Sequence, residues 1–359
     1  MGQQLVDASV AGALLSPLLS MWMGLQPDSV EQQDVMSCLS ELLPALGTAC
    51  HTWAQSVFDR SVAMLHQQLL RRQSGGSPET PEYEPALLAA ALTMVSALTE
   101  ALPASVGSLA EKSQLLEMVL LACSDSDADV RQGAFGLLGD LARACPSHVL
   151  PHMQRCLEAC GTVLSAEQLD SAADVRAASN VCWAMGELIF RASAQDLEER
   201  FALPLMQLLA RVLSTRTSAS KAMTENAAIT VGRLAMRCPQ VLAPHSPAFA
   251  DNLCIALRRV RDGAEKEQAF SGLCAVVRLN PMGAWPAFVS MANAFASWRL
   301  LRDEDLHRSM AEILRGYKVR CIDSIEDSDP LRTDLRRYIC LLSSGQQHLL
   351  HSSQLCRPS

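Results

Sequence analysis

Four side chains share one side of the segment 173–190, which its periodicity predicts to be a helix, and three of them, Asn180, Trp183 and Glu187, could bind an extended peptide. At 100° per residue the four are Arg176, Asn180, Trp183 and Glu187. The other side carries the apolar stripe of a packed helix: Val175, Ala178, Cys182, Met185 and Ile189. A large aromatic side chain among polar groups, away from the core stripe, is expected to be presented to a ligand.

The amides on this polar side suit peptide binding. An Asn side chain both donates and accepts hydrogen bonds, so Asn180 could bracket the N–H and C=O groups of a bound peptide. A similar segment further along the chain places Asn226 at the same helical position. Trp183 would supply the apolar contact that is typical of binding hot spots.

Carboxylates accompany the amides in three successive segments, at Glu100, Asp140 and Glu187. They would attract a basic ligand through steering and charge-assisted hydrogen bonds. The competing interpretation is that these carboxylates only keep the helix surface solvated. For any one carboxylate taken alone, this interpretation is the simpler one.

Other reactive side chains do not form a recognisable site. Four of them recur at intervals of four residues: His148, His152, Cys156 and Cys160. They would extend over about 18 Å of helix, so at most two neighbours could share a metal ion. Residues 124–130, SDSDADV, begin like a calcium loop but lack its glycine and its bidentate glutamate. We predict no catalytic residue, no metal site and no cofactor.

Composition narrows the classes of partner. The chain has 359 residues, a formal charge of −8 and a pI near 5.5, which argues against nucleic-acid binding. Thirteen scattered cysteines without a CxxC pair indicate buried thiols in a reducing compartment. The uncharged run 8–27 lacks a basic residue before it and contains Pro17, so it predicts a buried helix and no membrane partner.

Leu- and Ala-rich segments alternate with short stops throughout the chain and predict helix after helix. Among the predicted helices are Val106–Cys123 and Asp196–Ser214, and the predicted stops include Pro103, Pro146, Pro239 and Pro281. Predicted helix caps include Asp127 and Ser218. Residues 74–85, rich in Gly, Pro, Ser and Glu, are expected to form an exposed loop.

Helical segments repeat along the chain. The segments VRQGAFGLLGDLA, VRAASNVCWAMGELIF, MTENAAITVGRLA and KEQAFSGLCAVV align so that four positions coincide: Gly139, Gly186, Gly232 and Cys274. A two-helix repeat of this length is typical of HEAT and armadillo arrays, in which each hairpin buries its apolar face against its neighbours. The fold class predicted is all-α, a right-handed α-solenoid of about seven HEAT hairpins over residues 1–319, whose second helices line the concave side. Residues 320–359 form a divergent tail.

Several separated blocks resemble transportins, the import receptors of the karyopherin-beta class. They include YEPALLAAALTMVSALTEAL, DVRQGAFGLLGDLARAC, SNVCWAMGEL, TENAAITVGRLAMRCPQ and DEDLHRSMAEILRGYKV. The resemblance runs from about residue 5 to Val319, in the C-terminal repeats of the family. It implies a receptor that moves between cytoplasm and nucleus, binds nuclear localisation signals of cargo, releases the cargo when the GTPase Ran binds, and meets nucleoporins.

The resemblance also implies roles for individual residues. Trp183, Asp140 and Asn226 correspond to cargo-binding residues of the family, and Ser179 stands beside Asn180 where the family has another Asn. Thr93 replaces a family acid whereas Glu100 is retained. The expected ligand is the basic or hydrophobic part of a localisation signal, held by a truncated cargo-binding part without the Ran-binding arch. The alternatives are a generic HEAT scaffold that binds a folded subunit, or a chain without a partner.

Overall fold

The computed structural model describes residues 8–26, 29, 31–74, 82–165, 171–214 and 220–324. These ranges contain helices and no strand. The α-helices, with short 3₁₀ turns between some of them, are α1 (Ala8–Gly24), α2 (Glu31–Leu46), α3 (Ala54–Ser74), α4 (Pro85–Ala101), α5 (Pro103–Ala110), α6 (Leu115–Ala122), α7 (Ala128–Ala144), α8 (Pro146–Val149), α9 (Met153–Leu164), α10 (Ala172–Arg191), α11 (Ala194–Arg200), α12 (Ala202–Ser214), α13 (Lys221–Arg237), α14 (Pro239–Leu242), α15 (Ser246–Leu257), α16 (Ala264–Leu279), α17 (Pro281–Ala284), α18 (Phe288–Phe295) and α19 (Glu304–Ser324).

The longer helices form successive hairpins within two compact units. The first unit comprises Met1–Ala192 with Thr217–Met223, and the second comprises Ser193–Arg216 with Thr224–Ser359. In the first unit the second helices of the hairpins, α2, α4, α7 and α10, pack side by side, as do the first helices α3, α6 and α9. In the second unit the first helices α12, α15 and α18 pack side by side, as do α16 and α19. This all-α solenoid packing confirms the predicted fold class.

Proline ends the second helices at a repeated place. After α4, α7, α13 and α16, one residue in a non-helical conformation is followed by a proline that begins the next short helix. Proline disfavours the helical conformation of the residue before it and fits the first turn of the helix that follows. The four prolines are the predicted stops: Pro103, Pro146, Pro239 and Pro281.

One predicted helix cap is confirmed, and two predicted helices are each divided in two. The carboxylate of Asp127 caps α7 by accepting from two backbone N–H groups, as predicted, whereas Ser218 lies outside the described residues. Residues 106–123 are not one helix, because a turn at 111–114 separates α5 from α6. There the Ser113 hydroxyl competes for backbone groups, donating to Ala110 O and accepting from Leu115 N. The predicted helix over residues 196–214 is likewise divided, between α11 and α12 at Phe201.

The uncharged helix α1 is amphipathic. It buries Ala11, Leu15 and Trp22, as predicted for a repeat helix, and leaves Val10 and Leu14 about half exposed. No helix within the described ranges is long and apolar enough to cross a membrane. The loop predicted over 74–85 lies largely outside those ranges, as does the tail after Ser324.

The second helices of the second unit approach closely through small residues. A Cβ atom built on Gly232 would lie 2.3 Å from Ala269 Cα, and one built on Gly272 would lie 1.9 Å from Gly232 O. Real Cβ atoms do not come so close to backbone, and backbone cannot rotate away as a flexible side chain can. The packing of α13 against α16 therefore requires glycine at both positions.

We expect Gly272→Ala to destabilise the second unit by about 2 kcal/mol or more, because α13 and α16 must separate to admit the methyl group. Urea denaturation followed by circular dichroism measures the loss. The matched control is Gly316→Ala in α19, where a Cβ meets nothing within 4 Å; it should be neutral or stabilise by up to about 1 kcal/mol through helix propensity. Equal effects of the two substitutions would contradict the close approach.

Candidate peptide-binding face

The predicted ligand-binding residues of the first unit lie on three neighbouring second helices. Glu100 lies on α4, Asp140 on α7, and Asn180, Trp183 and Glu187 on α10. Because α7 packs against both α4 and α10, their adjoining surfaces form one continuous face. We call these five residues the carboxylate–tryptophan face. Asn226 is half-buried on α13 and belongs to the second unit.

Trp183 lies across the backbone of the neighbouring helix and is only half-exposed. A Cβ atom on Gly139 would fall 2.2 Å from Trp183 Cζ3, so the absence of a side chain at Gly139 makes the room for the indole. The expectation that Trp183 is presented rather than packed is therefore wrong in part. Second helices pack side by side, so a residue that flanks the core stripe of one helix meets the next helix. One part of the indole stays accessible to a ligand.

Asn180 is half-buried and already uses one of its hydrogen-bonding groups. Its Nδ2 donates to the backbone carbonyl of Gln132 on α7 at 2.9 Å. Its Oδ1 accepts no hydrogen bond within the described part of the chain, so this oxygen could accept from the N–H of a bound peptide. The contact with α7 also orients the amide.

Asp140 is half-buried between α4 and α10. It accepts a hydrogen bond from the Ser96 hydroxyl of α4. Burial raises the pKa of Asp140 to about 6, the hydrogen bond with Ser96 and the charge of Arg143 oppose the shift, and the charges of Glu100 and Glu187 add to it. Burial is therefore the main cause of the shift, and a cation bound beside the carboxyl group would favour its ionised form.

Glu187 is buried, with only 3% of its surface exposed, and its position corrects the expectation that this row lies away from the core. Its carboxylate accepts from Arg191 at 2.6 Å and lies 3.9 Å from Arg143 on α7. Two arginines thus neutralise Glu187 within the chain, as burial of a carboxylate requires. Arg143 is mostly exposed and lies at the edge of the face.

The other residues singled out in the sequence differ in their exposure to solvent. Glu100 is exposed, whereas Ser179 is buried with 8% of its surface exposed and offers little to a ligand. Thr93 on α4 is exposed, and its hydroxyl donates to the backbone of its own helix. Within the described ranges, no three His, Cys, Asp or Glu side chains converge in a way that could hold a metal ion.

The sequence did not predict four residues that contact the carboxylate–tryptophan face from the same and adjoining helices. Ser96, Gly139, Arg143 and Arg191 contact the predicted residues and set their charge and orientation. For Gly139 a signal existed, because the aligned repeats place glycine at the same position in three consecutive units. For the arginines none existed, since an i, i+4 spacing from Glu187 to Arg191 is common on any helix.

Two Arg–Asp ion pairs beside the face join α7 to α10. Arg131 donates to Asp174 at 2.6 Å, and Arg176 donates to Asp129 at 2.9 Å. Each partner pair is about one repeat apart in sequence. Arg176, predicted on the same side as Trp183, is therefore engaged between repeats.

Stacked helical hairpins whose second helices pack side by side define the class of α-solenoid repeat proteins. No family model matches the chain. It is 34% identical over 317 residues to transportin-1 of Oryza sativa subsp. japonica, covering 88% of this chain and 35% of that protein. It is 31% identical over 309 residues to human transportin-1, covering 85% and 33%, and 28% identical over 285 residues to importin subunit beta-2 of Schizosaccharomyces pombe, covering 78% and 30%.

The chain belongs to the transportin family of the karyopherin-beta class. The extent of these matches confirms the resemblance seen in the separated blocks of sequence. The chain spans about a third of the length of the relatives that it matches.

The raised pKa of Asp140 predicts a pH dependence of stability. Asp140 binds its proton more tightly in the folded chain than in the unfolded one, so its contribution is fully present below about pH 4 and is lost as the pH rises through about 6. Asp140→Asn should therefore be more stable than the natural chain at pH 7, by roughly 1–3 kcal/mol. The gain should shrink as the pH falls to 4, as measured by urea denaturation across this range.

The control for this prediction is Glu100→Gln, which removes an exposed carboxylate from the adjoining helix. Its effect should stay within about 0.5 kcal/mol at every pH. A stability difference for Asp140→Asn that does not vary with pH would contradict the raised pKa.

Proposed function

We propose that the chain acts in nuclear import, as a receptor that binds nuclear localisation signals of cargo proteins on the carboxylate–tryptophan face. The relatives are named transportin and importin subunit beta-2, which supports a transport role without catalysis. The observation that carries the proposal is the half-exposed indole of Trp183, which lies over Gly139, the residue before the half-buried carboxyl group of Asp140. This pair would receive an apolar side chain next to a Lys or Arg.

Each residue of the face would have a distinct role in this proposal. Trp183 would contact the apolar part of the signal, and Asn180 Oδ1 would accept from the peptide backbone. Asp140 and Glu100 would pair with basic side chains of the ligand. Glu187 would act mainly through Arg191 and Arg143, because these arginines already neutralise it.

Membership of the family is the only basis for the further partners and the subcellular location that we propose. A receptor of this kind would bind cargo in one compartment and release it in the other, so the chain would occur in cytoplasm and nucleus. Ran would govern release and nucleoporins would be met in transit. Asn226, within the second unit, would offer an amide to cargo there.

A generic HEAT scaffold is the second candidate. The neutralisation of Glu187 by two arginines favours it, since one of the three predicted carboxylates is thereby withdrawn from ligand binding. A scaffold would bind a folded subunit and would not need a basic extended peptide.

The test is fluorescence anisotropy with a labelled peptide that combines basic and hydrophobic residues. Trp183→Ala should weaken binding roughly tenfold or more, because it removes the apolar contact at the centre of the face. Binding should also weaken at high salt, which screens the charges of Asp140 and Glu100. The matched control is Trp53→Ala, which removes another half-buried tryptophan of the first unit.

Two outcomes count against the import receptor. If Trp183→Ala and Trp53→Ala bind the peptide equally well, the face is not the binding site. If neither variant nor the natural chain binds the peptide but a folded partner is bound, the scaffold takes its place.

Peptide affinity is further expected to depend on pH. A basic peptide favours ionised Asp140, so binding should tighten as the pH rises from 5 to 7 through the pKa of about 6 and should then level off. Asp140→Asn should abolish this dependence while retaining the contact with Trp183. Anisotropy titrations at several pH values measure it, and a dependence that persists in Asp140→Asn would assign it to another group.

A further inference from the structure

A second surface of opposite charge lies on the first helices of the second unit. A cavity of about 360 Å³ opens between α15 and α18. Its lining consists of Ile255, Arg258, Arg259, Ser290 and Asn293, which we call the arginine groove. None of these residues belongs to the carboxylate–tryptophan face, and the groove lies entirely within the second unit.

The helical spacing of the lining residues explains the groove. Ile255, Arg258 and Arg259 stand at i, i+3 and i+4 on α15 and just beyond its end, so they share one side. Ser290 and Asn293, at i and i+3, present the facing side of α18. The Ser290 hydroxyl donates to Asp251 Oδ1 on α15 at 2.6 Å and fixes the two helices across one end of the groove.

The arginines of the groove carry positive charge that no residue within the described ranges balances through an ion pair. Arg258 and Arg259 are both exposed, and neither forms an ion pair with any residue that the structure describes. Two carboxylates close to them in sequence already accept hydrogen bonds. Asp251 accepts from Ser290, and Asp262 accepts from Lys266 at 2.9 Å and from the backbone N–H groups of Arg299 and Leu300.

The groove also has one apolar wall that solvent reaches, and a further apolar side chain is exposed next to it. Ile255 is 39% exposed, and Val289, beside Ser290 on α18, is 44% exposed. A pair of unpaired guanidinium groups next to exposed aliphatic side chains suits a ligand that carries carboxylates and an apolar side chain together.

From this geometry we infer that the arginine groove binds an acidic peptide segment, with an apolar side chain of the ligand in the cavity and its carboxylates on Arg258 and Arg259. The charge is complementary to such a ligand and repels the basic segment proposed for the other face. In a chain with a net charge of −8, two adjacent unpaired arginines beside a cavity give this place a sign opposite to the average surface.

The test uses the full chain and a short fluorescein-labelled peptide of alternating Glu and Leu. Matched peptides of alternating Gln and Leu, and of Lys and Leu, vary the charge at constant apolar content. The Glu–Leu peptide should bind more tightly than both, with an affinity that falls at high salt. The double substitution Arg258→Glu with Arg259→Glu should weaken it by roughly tenfold or more.

The matched control is Arg299→Glu with Arg302→Glu, a double charge reversal at two exposed arginines of the same unit that do not line the groove. It should leave the affinity for the Glu–Leu peptide within about twofold of the natural chain, because only the general charge changes. Circular dichroism establishes that both variants are folded. Ile255→Ala, which removes the apolar wall without a change of charge, should also weaken binding.

Three results would overturn the inference. In the first, both double reversals weaken binding equally, so that the peptide responds only to overall charge. In the second, the Gln–Leu peptide binds as tightly as the Glu–Leu peptide, which makes the groove an apolar docking site. In the third, a labelled single-stranded RNA binds the groove and the acidic peptide does not compete with it.

Discussion

A helical hairpin cannot bury both of its apolar sides alone, and the rest of this structure depends on that constraint. Each second helix must pack against the next one, and close packing of helices requires small residues where the backbones meet. Glycine supplies them in both units, at Gly139 beneath Trp183 and at Gly232 and Gly272 between α13 and α16. The same requirement helps to explain why the repeat is visible in the sequence, since two of the aligned glycines, Gly139 and Gly232, lie where a neighbouring helix comes close.

Side-by-side packing has an electrostatic consequence for the second helices. Residues that flank the core stripe of one helix face the next helix, so polar groups there must find partners between repeats. Asn180 donates to Gln132 O, Glu187 is flanked by Arg143 and Arg191, and Arg233 of the second unit donates to Gln268 at 2.9 Å. Asp140 accepts from Ser96 of the neighbouring repeat, but its burial outweighs this hydrogen bond and raises its pKa to about 6.

The sequence was sufficient for the hairpins, their period, the proline stops and the cap at Asp127, because these depend on local pattern and on residue types with strong conformational preferences. It was sufficient for the family as well. It was not sufficient for the burial of Glu187 or the half-buried state of Trp183. The periodicity of 100° per residue assigns each side chain of a single helix to a core side or an outer side. A helix in an array also has neighbouring helices on its two flanks. The burial of a flanking residue depends on the side chains of the neighbouring repeat. The periodicity of its own helix does not specify them.

The two candidate surfaces differ in how the chain balances their charge, and this difference bears on what each can bind. On the second helices of the first unit, arginines from adjoining positions neutralise Glu187, which leaves Asp140 and Glu100 to a cation from outside. On the first helices of the second unit, hydrogen bonds hold Asp251 and Asp262, which leaves Arg258 and Arg259 to an anion. Net charge alone would predict a preference for basic ligands everywhere. Local pairing separates the two signs, so the two proposed sites would select basic and acidic segments by place rather than by overall charge.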